Sequence, residues 1–463
     1  MALDAAIIWE VRTGGADTNG GGFKLGASGT DHTLQDAAQY AVTDAVTDGT
    51  TTITSATASF GTDVVGNTLY ITGGTGSITA AWYEITVRTD ASTITVDRST
   101  GLTAGTGATL NIGGSLASPG QASASKVGGN TVYIKAGTYT LSSSSANVAG
   151  GVVADADSTA HQEQVNTWVG YTSTRTLYNT DVKPVFINAA YTGITMVATT
   201  GSYNRVINLE IDGNSAATTK GLTGGAGKVQ IERCKVQNCT SYGIQSTDGR
   251  GAIAIGCEVT GCSGTSAFEV GFVGSAFACW SHNNTTHGFT NAGGGNNTIS
   301  HCIASNNSGA AVDGFNFSGA PVTLISSASY GNGRAGAYLE SGARVWSELI
   351  NCLFENNGTY GIDSFNATLM ARLINCGTYN NTSGKYNTAQ ITIVSGHIDN
   401  TTGSFFTAAG SDDFSLNNTA GQGAAARAAG YPATFQGGLT ASALDIGAAQ
   451  HADAGGATGG VFF

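Results

Sequence analysis

Proline is nearly missing from this 463-residue chain, with 4 prolines against 68 glycines. Its turns must therefore rest on glycine and on residues that tolerate a left-handed backbone, asparagine above all. Charge is sparse as well. Only 11% of residues are Asp, Glu, Lys or Arg, and the net charge is −12. An acidic chain lacks the basic surface that nucleic acid requires, so no nucleic-acid partner is expected. No apolar run is long enough to cross a bilayer, so no membrane partner is expected either. The N-terminal Met-Ala-Leu-Asp is not a basic segment followed by an apolar core, so no secretory signal is read there and release by lysis is the expected route outward. Asp17-Thr18-Asn19-Gly20-Gly21-Gly22-Phe23 has no Lys-Ser/Thr ending and reads as a turn, not a phosphate loop. Aromatic and β-branched residues are plentiful, which argues against disorder.

What the chain does have is a repeat. Cys234, Cys257, Cys279 and Cys302 stand 23, 22 and 23 residues apart; Cys352 follows after 50 and Cys376 after 24 more. The 50-residue step reads as two intervals, with Ala328 on the middle rung. Four and five residues after each rung come Asn238-Cys239, Gly261-Cys262, Asn283-Asn284, Asn306-Asn307, Asn332-Gly333, Asn356-Asn357 and Asn380-Asn381. Three residues before each rung stand Ile231, Ala254, Ala276, Ile299, Ile325, Leu349 and Leu373. Short β-type segments and polar turns at this period indicate a parallel β-helix solenoid. Equivalent residues then stack at about 4.8 Å. Small, soft Cys and Ala suit an interior column, and Asn suits an amide ladder. Gly243-Ile244, Phe268, Gly288-Phe289, Val312, Tyr338 and Gly361-Ile362 read as the inward anchors of a third strand. All 8 Cys lie in this repeat. Their spacing favours structural thiols, with metal binding and inter-rung disulfides as alternatives.

The rest of the chain divides around this stretch. Residues 1–45 are expected to be an N-terminal segment or cap, with a helix over Thr33–Ala45. Residues 46–115 alternate apolar and polar over five short strands, Thr51–Phe60, Thr68–Thr72, Trp82–Arg88, Thr93–Asp97 and Thr109–Ile112, and read as a small antiparallel sandwich or barrel. Residues 116–450 are the β-helix proper, with a short helix at Ser118–Lys126 and closing rungs at Asp413–Leu416 and Ala443–Ala448. Residues 451–463 form a Gly-rich tail ending in Val461-Phe462-Phe463, expected to dock on a neighbour.

Three stretches carry a resemblance. They are Gly129-Asn130-Thr131-Val132-Tyr133-Ile134-Lys135-Ala136-Gly137-Thr138-Tyr139 as first coil, the Asn/Cys rungs, and Asp445-Ile446-Gly447-Ala448 near the end. With them the chain resembles the right-handed parallel β-helix superfamily of pectate-lyase-like proteins. The inserted β module and the opening Trp9-Glu10-Val11-Arg12 with its glycines look like segments of tailed-bacteriophage virion proteins. The resemblance implies an all-β fold, a right-handed parallel β-helix with a small antiparallel module near its N-terminus. It implies a virion location, as capsid decoration or tail fibre/spike, a homotrimer as the self-partner, other virion proteins as neighbours, and host-surface polysaccharide as a further partner. The fold hosts lyases, hydrolases and inert shafts alike, so function must come from the site.

A hydrolase needs two carboxylates on one face, about 5 Å apart when retaining and about 6.5–9.5 Å when inverting. Rung alignment puts Gln245, Glu269, Thr290, Asp313, Leu339 and Asp363 in one column, with Glu340 beside it. Asp313, Asp363, Glu269 and Glu340 are therefore the candidate catalytic carboxylates, although two rungs, about 10 Å, is wide for a pair and no aromatic platform is evident. A lyase would need clustered acidic calcium ligands and a basic residue. Asp412-Asp413 is the only adjacent acidic pair, and Arg334, Arg344 and Arg372 lie near no acidic cluster. His282, His287 and His301 read as lone surface histidines, and Asp97-Arg98 as a surface pair. The expectation is a structural protein with no cofactor or metal. A β-helix polysaccharide depolymerase is the alternative.

Overall fold

The computed structural model describes residues 3–141, 165–176, 182–199, 204–224, 228–246, 251–271, 274–291, 295–318, 321–340, 347–365, 371–387, 391–400, 402–427, 429–430 and 445–449. Arg344, Ala443-Leu444 and the tail 451–463 lie outside them. The chain forms two compact units, Met1–Ile187 with Ala198–Glu210, and Asn188–Val197 with Ile211–Phe463.

In the first unit, Ile7–Val11 runs antiparallel to Gly22–Lys24 and parallel to Thr131–Lys135. Thr131–Lys135 pairs in parallel with Asn166–Tyr171, and that strand with Asn204–Ile207. Parallel stacking thus begins in the N-terminal segment, and the antiparallel module is inserted between two strands of one ladder. That module is a closed six-strand barrel in the order Tyr40–Thr47, Thr52–Thr54, Thr93–Val96, Ala81–Asp90, Thr68–Thr72, Gly105–Ile112. Its core holds Ile53, Phe60, Leu69, Ile71, Tyr83, Ile85, Ile94, Leu110 and Ile112. The helix expected over Thr33–Ala45 does not form. A 3₁₀ turn spans His32–Leu34, and Tyr40–Thr47 is a strand pairing Tyr40 with Ile112 and Val42 with Leu110. The β-branched Val42, Thr43, Val46 and Thr47 favour the strand, and barrel closure overrides the helical period of Leu34, Ala37, Ala38 and Ala41. The helix at Pro119–Ser125 does form, capped by Ser118, whose side chain accepts the Gln121 N–H.

The N-terminal Glu10 is fully buried. It accepts from Arg12 Nε at 2.7 Å and Arg175 Nε at 2.8 Å, and from the Tyr171 hydroxyl. Arg175 also donates to Asp31 and to Thr33 Oγ1, both at 2.6 Å. Asp97-Arg98 is a structural pair, with the guanidinium over the Tyr83 ring at 4.4 Å.

The second unit is the regular coil, a right-handed parallel β-helix of three sheets. The first sheet stacks strands from Val229–Glu232 to Ile391–Ser395, the second from Lys235–Gln237 to Ile398–Asp399, and the third from Lys220–Gly224 to Gly384–Tyr386. Between the first and second sheets each coil turns through one left-handed residue: Arg233, Gly256, Ala278, His301, Ser326, Asn351 and Asn375. Between the second and third it turns through Asn238, Gly261, Asn283, Asn306, Gly331, Asn356 and Asn380. Only glycine, asparagine and a few others adopt that backbone cheaply, and repeated use of it fixes the period.

Behind the first turn runs the thiol column, and all eight cysteines are buried free thiols. The rung between Cys302 and Cys352 is occupied by Ser327, not Ala328, because Ile303 pairs with Ala328 and Ala328 with Leu353. Its hydroxyl donates to Ile325 O at 2.8 Å, as the thiols of Cys302 and Cys352 donate two residues back. The inward residue of that rung is consequently Leu324, with Ile325 facing out, and the turn pair is Gly331-Asn332. Behind the second turn, amides hand hydrogen bonds along the axis: Asn284 to Asn307 at 2.8 Å, Asn307 to Asn332 at 2.8 Å, Asn332 to Asn357 at 3.1 Å, and Asn357 to Asn381 at 2.9 Å. In the third sheet the inward column is Ile244, Phe268, Phe289, Phe315, Ala337 and Ile362. Phe315 and Ala337 replace the expected Val312 and Tyr338.

Asp413–Leu416 is not a rung. It pairs antiparallel with Phe406–Ala408, and this hairpin covers the outer face of the second sheet through Phe405, Phe406, Phe414 and Leu416 on Ile303, Ala328 and Leu353. Asp445–Ala449 forms no strand either; Ile446 N donates to Ala426 O and Gly447 N to Asn351 O.

Candidate functional site

The outer face of the third sheet gathers the polar chemistry. Its outward column, fixed by strand register, runs Gln245, Glu269, Thr290, Asn316, Tyr338, Asp363. Two expected members are displaced. Leu339 points inward and is 1% exposed. Asp313 precedes its strand, which starts at Phe315. Asn284 and Phe289 are five residues apart, but Asn307 and Phe315 are eight apart. Three extra residues in that turn push Asp313 out of register.

The displacement changes what Asp313 does. Its carboxylate is fully buried. Arg334 grips it with two prongs, Nε to Oδ1 at 2.7 Å and Nη2 to Oδ2. Ala335 N donates to Oδ1 at 3.1 Å and Asn316 Nδ2 to Oδ2 at 2.9 Å. Burial pushes this carboxyl up, but the hydrogen bonds and charge of Arg334, with the bond from Asn316, outweigh it and hold Asp313 below its ordinary value. A carboxylate so fully engaged and kept ionised has no proton to give and no lone pair to spare for one.

Arg334, which the sequence places near no acidic cluster, is thus the partner of Asp313. It also lies over the Tyr338 ring at 3.6 Å, so an aromatic does belong to this face. His287 is not a lone surface histidine. Its Nδ1 accepts the Asp313 backbone N–H at 3.1 Å and lies 3.2 Å from Asp313 Oδ2. Assigning the ring from these contacts puts the proton of the neutral form on Nε2, and the charged form also carries one there. Neither His287 Nε2 nor Arg334 Nη1 has a partner among the described residues, and their side chains are 26% and 23% exposed.

The other carboxylates stand apart. Glu269 accepts from Gln245 Nε2 at 3.2 Å, and burial raises it above the ordinary value, against the opposing Gln245 bond and Lys220 charge. It is four rungs from Asp363, roughly 19 Å at the usual strand spacing. Asp363 Oδ1 accepts from Ser364 N at 2.7 Å and Asn387 Nδ2 at 2.8 Å. Glu340, half-exposed, follows strand Ala337–Leu339, and its N–H donates to Phe317 O at 2.9 Å.

The remaining candidates scatter. Arg372 pairs with Glu348 at 2.7 Å, on the first sheet. His282 meets Glu258 at 3.2 Å and stacks on Trp280; the His301 ring lies tilted against Phe277, 5.2 Å between centroids. Asp413 accepts from Ser415 within the hairpin. No group of three His, Cys, Asp or Glu suited to a metal occurs among the described residues.

No family model and no curated protein matches the sequence. Solved structures do. Pectate lyase Pel9A aligns with a TM-score of 0.53 at 16% identity, over 73% of this chain and 91% of its own. Geobacillus virus E2 ORF18 gives 0.39 at 12%, over 58% and 53%. The catalytic domain of a GH87 alpha-1,3-glucanase gives 0.33 at 9%, over 82% and 93%. At the first of these values the likeness establishes the fold, which is the right-handed parallel β-helix of pectate-lyase type.

Proposed function

We propose that this chain is a structural β-helix of a bacteriophage virion, a capsid decoration or tail fibre/spike, whose walls make assembly contacts and attach to host-surface glycan. One observation carries this reading. The carboxylates that hydrolysis would need are committed elsewhere: Asp313 is buried under Arg334, and Glu269 and Asp363 are rungs apart. The stacked coil with its amide ladder is a stiff shaft, and outward faces of successive rungs are suited to side-by-side packing about a symmetry axis. Light scattering tests the oligomer, with three times the 46.5 kDa chain mass expected, and co-sedimentation tests particle association. A monomer absent from particles would overturn the reading.

A β-helix polysaccharide depolymerase is the second reading. It is favoured by His287 Nε2, a ring nitrogen without a partner among the described residues whose opposite edge, Nδ1, accepts the Asp313 backbone N–H. A reducing-end assay on surface polysaccharides, with Asp313→Asn as control, separates the two.

A further inference from the structure

We infer that the outer face of the third sheet at His287, Arg334 and Asp363 is a binding site for a neutral, hydroxyl-rich saccharide. The inference rests on the attachment reading above and names the chemistry of what is attached. Two donors and one acceptor on this face have no hydrogen-bond partner among the described residues. The donors are His287 Nε2 and Arg334 Nη1. The acceptor is Asp363 Oδ2, because both hydrogen bonds that Asp363 receives go to Oδ1.

Each of the three is held rigid from behind. Asp313 fixes the histidine ring and the guanidinium together through its carboxylate and its backbone N–H. Tyr338 lies under Arg334 and next to Asp363 in the register. Ser364 N and Asn387 Nδ2 clamp Asp363. Held donors and acceptors lose little side-chain entropy on binding, which makes weak polar contacts count.

The charge pattern selects the ligand class. The Arg334 cation is already matched by Asp313 at hydrogen-bond distance, and the Asp363 carboxylate adds a further negative charge to its surroundings. Glu340 lies on the next residue but one after Tyr338. An anionic ligand would meet net repulsion. A neutral sugar offers hydroxyls that accept from the histidine and arginine and donate to the aspartate, so every group is satisfied.

The test is a titration of histidine-labelled protein followed by NMR, with the His287 ring signal assigned through His287→Gln. Cellotetraose, maltotetraose and laminaritetraose are the neutral probes, and tetragalacturonate is the anionic one. At least one neutral probe should move the His287 signal saturably, and tetragalacturonate should bind at least tenfold more weakly. Asp363→Asn keeps the Oδ1 acceptor but replaces the outward oxygen with a donor. It should weaken neutral-sugar binding at least tenfold with an unchanged melting temperature. Three outcomes overturn the inference: no neutral probe shifts His287, tetragalacturonate binds more tightly, or Asp363→Asn binds as the wild type does. None of these touches particle association, so the virion reading fails or survives separately.

Discussion

The barrel over Tyr40–Ile112 and the coils from Val229 onward are both all-β, yet they solve the strand-edge problem in opposite ways. The barrel closes on itself, so every strand finds its partners within about seventy residues, and its core is a self-contained set of Ile, Leu, Val, Phe and Tyr. A coil has no closure. Each rung is completed only by the rungs above and below, and its polar groups are passed along the axis, Asn284 to Asn307 to Asn332. Damage to the barrel should therefore stay in the barrel, whereas damage to one rung should spread to its neighbours.

That contrast can be broken by experiment. The largest effect is expected for Arg334→Ala, which leaves the buried Asp313 carboxylate without its two-pronged partner. Denaturant unfolding of the coil should lose about 3–5 kcal/mol, with amide exchange unchanged across residues 40–112. A loss below about 1 kcal/mol would show the pair to be dispensable. Phe60→Ala, at a barrel position 1% exposed, should cost about 3–4 kcal/mol, and faster exchange should be confined to the barrel. Spread of that change into the coil would erase the distinction. Asn307→Ala removes an amide that serves both neighbouring rungs and strips Asn284 of its acceptor. It should cost about 2–3 kcal/mol and raise exchange at Asn284 and Asn332 as well as at the mutated rung.

Acid sharpens the same comparison. Asp313 is depressed in the folded chain, so its contribution is complete above the unfolded carboxyl value, near pH 4, and fades as pH falls through the lower folded value. In an acid titration the coil of Asp313→Asn should show a shallower pH dependence of stability below about pH 4 than wild type, while the barrel transition stays the same in both. The smallest effect is expected for Cys302→Ser. Ser327 already takes a thiol position and makes the same backward hydrogen bond, so the change should cost no more than about 1 kcal/mol. A larger loss would mean the thiol column is chosen for more than its size.

Much of the coil was legible because stacking forces repetition. The cysteine interval, the left-handed asparagines and the amide ladder are one physical requirement written several times. What broke the repeat was not legible. An even split of the 50-residue gap falls on Ser327, the true rung, and the small apolar side chain of Ala328 draws the reading one residue beyond it. The three extra residues before Phe315 shifted Asp313 into the wrong column. The aromatic pair Phe289 and Phe315, stacked at 5.2 Å, was the signal that could have corrected the register. Arg334 and Asp313 are 21 residues apart, off the coil period, so alignment by period separated two residues that the turn brings together. The second sheet carried an unread signal too. Its outward positions are Lys235 and Glu258 in early coils and Ile303 and Leu353 in later ones, and the apolar ones lie under the C-terminal hairpin. In the barrel, five strands were visible as alternation. The sixth, Tyr40–Thr47, was masked by alanines with a helical spacing.

The proposed virion role requires that the outer walls of the coil make contacts and that the carboxylates on them are not a hydrolytic pair. Product analysis of host-surface polysaccharides incubated with the purified chain tests this most directly. It should find the glycan bound and unshortened, with no new reducing ends and no unsaturated termini. Chain cleavage by the wild type that disappears in Asp313→Asn would contradict it.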